Sequence, residues 1–193
     1  MKKVIKTNIA ACLLILAISC KKENITTPSA VKTQSAEESV TTFHIGQHYG
    51  GGIIFYIDST GQHGLIAAKE DQGYVGYGSD VIRTDARGRA IGQGYINTVK
   101  IINAYGTKDD YAALLCAKYR GGGYEGWFLP SLKELHELYL QKDVVGGFQT
   151  VPYWSSTEVS WDWAAAWIHY FNAEEETPSS KWNLYYVRPV RTF

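Results

Sequence analysis

The side chains able to do chemistry are few in this sequence, and their spacing does not assemble them. The five histidines (His44, His48, His63, His136 and His169) are scattered, with no H-E-x-x-H pair among them. No G-x-S-x-G turn offers a strained serine nucleophile. The three cysteines lack paired metal-ligand spacing. Cys116 shares an i, i+3, i+4, i+7 apolar pattern with Ala112, Leu115 and Tyr119, which makes it a core thiol with no base beside it. Gly121-Gly122-Gly123-Tyr124-Glu125-Gly126 matches G-x-G-x-x-G in letters only. It follows a helical stretch and leads into an apolar strand-like run, the reverse of a dinucleotide site, so it reads as a turn. Glu174-Glu175-Glu176 with Thr177-Pro178-Ser179-Ser180 reads as a solvated polar loop rather than as metal ligands. The expectation is a protein that is not an enzyme, with no catalytic residue, no cofactor and no metal.

What the sequence does concentrate is aromatic surface. Residues 153–193 hold five of the six tryptophans and none of the 19 glycines. Tryptophan and tyrosine give large, rigid, amphipathic contact area at low entropic cost, and they stack equally well on sugar rings, peptides or apolar patches. In a strand through Ala166 to Phe171, Trp167 and Phe171 share one face while Ile168 and Tyr170 share the other. With Trp127, Trp154, Trp167 and Phe171 assigned to the core, Ile168 and Tyr170 fall on the displayed side. Trp161, Trp163 and Trp182 join them, because Asp162 and Asn183 interrupt the apolar runs around them.

These residues need a scaffold, and the rest of the chain supplies its elements. Gly52-Ile53-Ile54-Phe55-Tyr56-Ile57-Asp58 and Gly64-Leu65-Ile66-Ala67-Ala68, joined by a turn-prone stretch, predict a β-hairpin. Residues 70–94 read as a long ordered loop, and Tyr95 to Ala104 has helical spacing. Asp109-Asp110 are expected to cap a second helix running through Tyr119. Ser131-Leu132-Lys133-Glu134 is a capping box that starts a third, with Leu132, Leu135, Leu138 and Tyr139 inward and His136 and Glu137 toward solvent. The terminal Val187-Arg188-Pro189-Val190-Arg191 reads as a strand whose arginines pair with carboxylates such as Glu158 or Glu134.

The N-terminus gives an address. Lys2, Lys3 and Lys6 precede an apolar run from Ile9 to Ile18, as in a signal peptide over residues 1–19. Its end, Leu16-Ala17-Ile18-Ser19-Cys20, resembles a lipobox, with Cys20 lipidated; the alternative is a secretory signal cut after Ser19 with Cys20 incidental. Residues 20–42 form a polar tether, leaving 43–193 as one folded domain. Removal of residues 1–19 takes away three lysines and leaves a net charge of −3, so no nucleic acid partner is expected.

Trp127-Phe128-Leu129-Pro130-Ser131 with Glu134-Leu135 and Leu138-Tyr139 forms one block of linked motifs. Tyr153-Trp154-Ser155-Ser156-Thr157-Glu158, Ala166-Trp167, Phe171, Lys181 and the Val187 to Arg191 terminus follow it in order. Together these motifs resemble the Lcl-type C-terminal domain family of bacterial collagen-like adhesins, over roughly Ile45 to Phe193. The resemblance implies an α+β, C-type-lectin-like fold of short antiparallel strands, two to three helices and long loops. It also implies kinship with variable proteins diversified by retroelements, whose displayed residues would fall here at Ser160, Trp161, Asp162, Trp163, Ile168, Tyr170, Asn172, Trp182, Asn183 and Tyr185. Relatives often carry glycine where this chain has Asn172-Ala173. Trp161, Trp163 and Trp182 cannot arise by adenine replacement in an Asn template codon. Only Trp182-Asn183 remains of the calcium-dependent sugar motif of true C-type lectins.

The sequence therefore predicts a monomeric, lipid-anchored binding protein on the bacterial outer membrane, surface-exposed, that takes a glycan or protein ligand. A structural or assembly subunit docking through the same face is the second reading, and a degenerate enzyme of the related formylglycine-generating fold the third.

Overall fold

The computed structural model describes residues 42–79 and 81–193. The expected signal peptide, Cys20 and the tether up to residue 41 lie outside the described residues. The described residues form a mixed α+β domain with two sheets and four α-helices. No described helix is long and apolar enough to cross a membrane.

The first sheet contains the predicted hairpin. β1 (His48–Tyr49), β2 (Gly52–Ile57) and β3 (Gly64–Ala67) run antiparallel, with a bulge between Ile54 and Tyr56. The last strand, β9 (Val190–Thr192), completes the sheet against β3. Phe193 then packs edge-on against Phe43 at 4.7 Å, so the first and last aromatic residues of the domain meet.

The second sheet has the order β4-β8-β5-β6-β7, with β4 (Gly73–Gly76), β5 (Pro152–Glu158), β6 (Ala165–Tyr170), β7 (Glu175–Ser180) and β8 (Leu184–Val187). Its pairs are antiparallel except β5 with β8, which touch in parallel at Tyr153 and Tyr186. Two sequence expectations fail here. Residues 70–94 are not all loop, because Gly73–Gly76 pairs with Leu184–Val187. Nor is 174–180 all loop, because Glu175–Ser180 is an edge strand opposite β6. Proline is tolerated at a sheet edge, where no neighbour needs its missing N–H, and Pro178 sits there.

Helices cover both faces of this sheet. On one side α1 (Gly94–Tyr105) and α2 (Ala112–Lys118) bring Ile101, Ala112, Ala113 and Cys116 against Trp154, Ala166, Ile168 and Val187. On the other, α3 (Leu132–Leu140) and α4 (Lys142–Val145) bring Leu135, Leu138 and Val145 against Tyr153 and Phe171. Alternation along β6 therefore does not separate core from solvent: a strand covered on both faces buries both sets. Ile168, expected on display, is 1 % exposed.

The capping box forms as predicted. Ser131 Oγ accepts from Glu134 N–H, and Glu134 Oε2 accepts from Ser131 N–H at 2.7 Å. Glu134 Oε1 also accepts from Gly92 N–H at 2.7 Å, so one buried carboxylate serves the N-terminal ends of two helices. The second helix is capped differently from expectation. Tyr111 occupies the N-cap position, and Asp110 instead pairs with Lys118 at 2.8 Å. On the third helix His136 is half-buried, not solvent-facing.

The terminal arginines also find other partners. Arg188, fully buried, donates to Asp71 at 2.8 Å and to the carbonyls of Ala68, Gly146 and Gly147, and its guanidinium lies 4.0 Å from the Phe148 ring centre. Arg191 donates to Gly50 O and stacks on Tyr124. Glu158 pairs with Lys181 instead, and among the described residues Glu134 has N–H and hydroxyl neighbours rather than an arginine.

Candidate ligand-binding face

Two turns at one end of the five-stranded sheet carry most of the residues expected to meet a ligand. The first joins β5 to β6. Val159 is fully buried, and its N–H donates to Ala165 O at 3.0 Å, which closes the turn at its root. Asp162 folds the tip by accepting from Ala164 N–H at 3.0 Å. Ser160, Trp161, Asp162 and Trp163 are left outside, Trp161 at 72 % and Trp163 at 47 % exposure. The second turn joins β7 to β8 and presents Trp182, 65 % exposed, with Asn183 and Leu184. Lys181 N–H donates to Ala164 O at 3.0 Å, so the two turns are tied together.

Their roots are rigid. The Lys181 ammonium donates to Glu158 Oε1 and to Ile82 O, and Glu158 Oε1 also accepts from Thr84 N–H at 3.1 Å. Asn183 Nδ2 donates to Ser179 Oγ at 2.8 Å, and that hydroxyl lies 3.0 Å from Tyr185 OH. Trp161 meets Trp167 edge to face at 5.9 Å, and the Arg89 guanidinium covers the Trp167 ring at 4.4 Å. Trp167 is thus half-buried beneath the exposed indole, not the fully buried core residue expected. A packed indole buries about 150–250 Å², worth about 4–6 kcal/mol at about 25 cal/mol per Å². The fold forgoes much of that at three tryptophans on two adjoining turns.

Beside Trp182 opens a cleft of about 480 Å³, the size of a small-molecule site. Ile82, Tyr105, Tyr111, Trp182 and Leu184 form its walls, and Asp109 and Asp110 are part of its lining. Tyr105 OH donates to Ser79 O at 2.8 Å. Gly78 permits that placement: its φ is +152°, and a Cβ there would stand 2.0 Å from the Tyr105 ring. Tyr111 OH donates to Gly106 O, and burial pushes its pKa up to about 12, so it stays a neutral donor. The cleft offers ring faces with carboxylates beside them, which suits a ligand with an apolar face and hydroxyl or cationic groups at its edge. Sequence reasoning missed it because its walls come from four separate segments. The one local hint was Gly76-Tyr77-Gly78-Ser79, where glycines flank an aromatic residue.

The remaining expected residues divide. Tyr185 is half-buried at the root of the face, its ring 4.9 Å from Trp154. Ile168 lies in the core, out of reach of any ligand. Tyr170 packs partly into the same core, and the exposed Asn172 follows it at the far end of β6, roughly 15–20 Å along the strand from the tryptophan turns. Cys116 is fully buried, and burial raises its thiol well above the usual range, so it is not available as a nucleophile.

No protein-family model matches the chain, and no curated protein matches it.

Proposed function

We propose that this protein is a non-enzymatic ligand-binding protein of the bacterial cell surface, anchored in the outer membrane by a lipid on Cys20. Its domain is a C-type-lectin-like variant, a reading supported by short, mostly antiparallel strands, helices on both faces of one sheet and long connecting loops. The binding surface is Ser160–Trp163 with Trp182 and Asn183, together with the adjoining cleft. The observation that carries it is the exposure of Trp161, Trp163 and Trp182 on two turns that share a buried, ion-paired root. Indoles presented on a rigid base stack on a sugar ring or a peptide at low ordering cost. The position of these turns within residues 153–193 also supports a retroelement-diversified variable protein or adhesin. A near-copy of the DNA for that segment, differing at adenines beside a reverse transcriptase gene, is the corresponding genomic test.

The binding test is a broad glycan array probed with the full chain, with and without chelator, beside a Trp161→Ala/Trp163→Ala variant and a Trp182→Ala variant. Chelator-insensitive binding that both variants lose is the expected result. Binding that survives both variants places the site elsewhere and overturns the reading. Absence of glycan binding, with one partner captured through the same tryptophans, assigns a protein ligand. A stable complex buried on this face would make the chain an assembly subunit.

A further inference from the structure

On the opposite side of the sheet from α1 and α2, three side chains from three elements converge: His136 on α3, His169 on β6 and Glu176 on β7. His169 and Glu176 are directly opposed across the β6–β7 ladder, so their side chains leave the same face, and α3 packs over them. His136 Nδ1 lies 3.2 Å from His169 Nε2 and 3.9 Å from Glu176 Oε1. All three ligand atoms fall within 4.8 Å of one another. From this arrangement we propose that His136, His169 and Glu176 bind one divalent transition-metal ion of the zinc class, with a fourth position open to water.

Hydrogen-bond accounting supports the assignment. His169 Nδ1 lies 2.9 Å from Tyr170 O, a group that can only accept, so Nδ1 carries the proton. In the neutral ring Nε2 is then a lone pair aimed at His136. The His169 ring is fully buried, so its Nε2 is shielded from water as well. Glu176 Oε1 is buried and has no hydrogen-bond partner among the described residues, while Oε2 faces Arg89 at 3.8 Å. Two acceptors thus compete for the single proton that His136 Nδ1 can offer. A buried acceptor left without a donor is costly. A cation accepts all three lone pairs at once.

The geometry and chemistry both favour zinc-class ions. Zinc binds nitrogen and carboxylate oxygen at about 2.0–2.2 Å, which sets tetrahedral ligand atoms about 3.3–3.6 Å apart. The 3.2 and 3.9 Å separations bracket that spacing, and with the whole set within 4.8 Å a small inward shift of the ligands closes the shell. Calcium and magnesium want all-oxygen shells, so a two-imidazole, one-carboxylate set selects against them. The Nδ1–H of His169 on a backbone carbonyl is the outer-shell bond that orients ligating histidines. Tyr139 lies over the His169 ring at 4.6 Å and helps to fix it. His136 and Glu176, 21 % and 22 % exposed, leave an opening for entry and for a bound water. The ion would join β6 and the edge strand β7 to α3. Sequence reasoning expected no metal because the ligands are far apart in the chain and match no local spacing motif.

The inference is independent of the binding reading and is tested separately. The full chain, purified without a histidine tag and stripped with chelator, is titrated with cobalt(II) and then with zinc(II). One cobalt ion per chain should bind with the intense visible band of a four-coordinate site, and zinc should displace it one for one. His136→Ala and Glu176→Gln, both at partly exposed positions, should weaken binding by more than the roughly hundredfold that loss of an outer-shell partner costs, while leaving the metal-free circular dichroism spectrum unchanged. These variants keep the test decisive even if the buried His169→Asn fails to fold. No stoichiometric binding, or binding indifferent to both variants, overturns the assignment and leaves a hydrogen-bonded histidine pair.

Discussion

Lys181 and Glu158 form an ion pair from which solvent is excluded, their side chains 0 % and 1 % exposed. The pair joins the end of β5 to the start of the Trp182 turn and so holds both tryptophan turns at a common root. Removing the ammonium strands a buried carboxylate, which already has one oxygen, Oε2, without a partner among the described residues. Breaking such a pair costs about 3–5 kcal/mol. Lys181→Met should therefore lower the melting temperature by roughly 6–20 °C, at about 2–4 °C per kcal/mol for a domain of this size. Adding Glu158→Gln removes the stranded charge yet keeps an acceptor for Thr84 N–H, so the double variant should melt above the single. Simple additivity of the two losses would show that the pair is not coupled.

Arg188 is tied more tightly still. Its fork serves Asp71 and three backbone carbonyls, bringing β8 together with the segments around Ala68 and Gly147. Arg188→Met should cost about 3–5 kcal/mol, because Asp71 and the carbonyls lose donors in a buried site. Arg188→Lys should rescue little, since an ammonium cannot reproduce the planar fork. Urea unfolding of the three proteins decides this. Arg188→Lys matching wild type would mean that charge, not geometry, matters there.

How far the sequence reveals these features depends on how local they are. The hairpin Gly52–Ala67 and the box Ser131–Glu134 were legible because each is written within a few residues. The strands Gly73–Gly76 and Glu175–Ser180 were not: one is half glycine, the other polar with a proline, and each exists only through its distant or neighbouring ladder partner. The exposure of Trp161, Trp163 and Trp182 followed from Asp162 and Asn183 beside them. Ile168 was misplaced because alternation cannot tell a one-sided sheet from one covered on both faces. The partners of Arg188 and Glu158 were misassigned for a similar reason, since ion pairing across the fold leaves no periodic mark.

Glu134 should give the protein a distinctive pH response. Burial raises its pKa above the ordinary carboxylate value, opposed by the N–H groups of Ser131, Gly92 and Gly94. A carboxyl whose folded pKa is raised contributes stability that is fully present below its unfolded pKa, about 4.3, and is lost as pH rises through the folded value. Glu134→Gln cannot titrate, and its amide group sets a donor against a donor N–H, costing about 1–3 kcal/mol. The difference in melting temperature between wild type and Glu134→Gln should therefore be larger at pH 4 than at pH 7. Other groups titrate in both proteins and cancel. A difference that shrinks on acidification would mean that the N–H groups outweigh burial and the charged form is the favoured one.

The tryptophans should separate by energy into those that hold the fold and those that face outward. Trp154 is fully buried, donates its indole N–H to Val75 O at 2.9 Å and packs on Tyr77 and Tyr185. Trp154→Ala should cost about 3–5 kcal/mol as a large core cavity. Trp182→Ala, on an exposed turn, should change stability by no more than about 0.5 kcal/mol. Trp161→Ala falls between, losing the edge-to-face contact with Trp167 that is worth about 0.5–1.5 kcal/mol. Chemical denaturation of the three variants gives the order directly. If Trp182→Ala were as damaging as Trp154→Ala, the indole would be a packing residue, and a face built on it could not be a ligand surface. If the order holds, loss of ligand in Trp182→Ala reports contact rather than unfolding, because the fold beneath it has not changed.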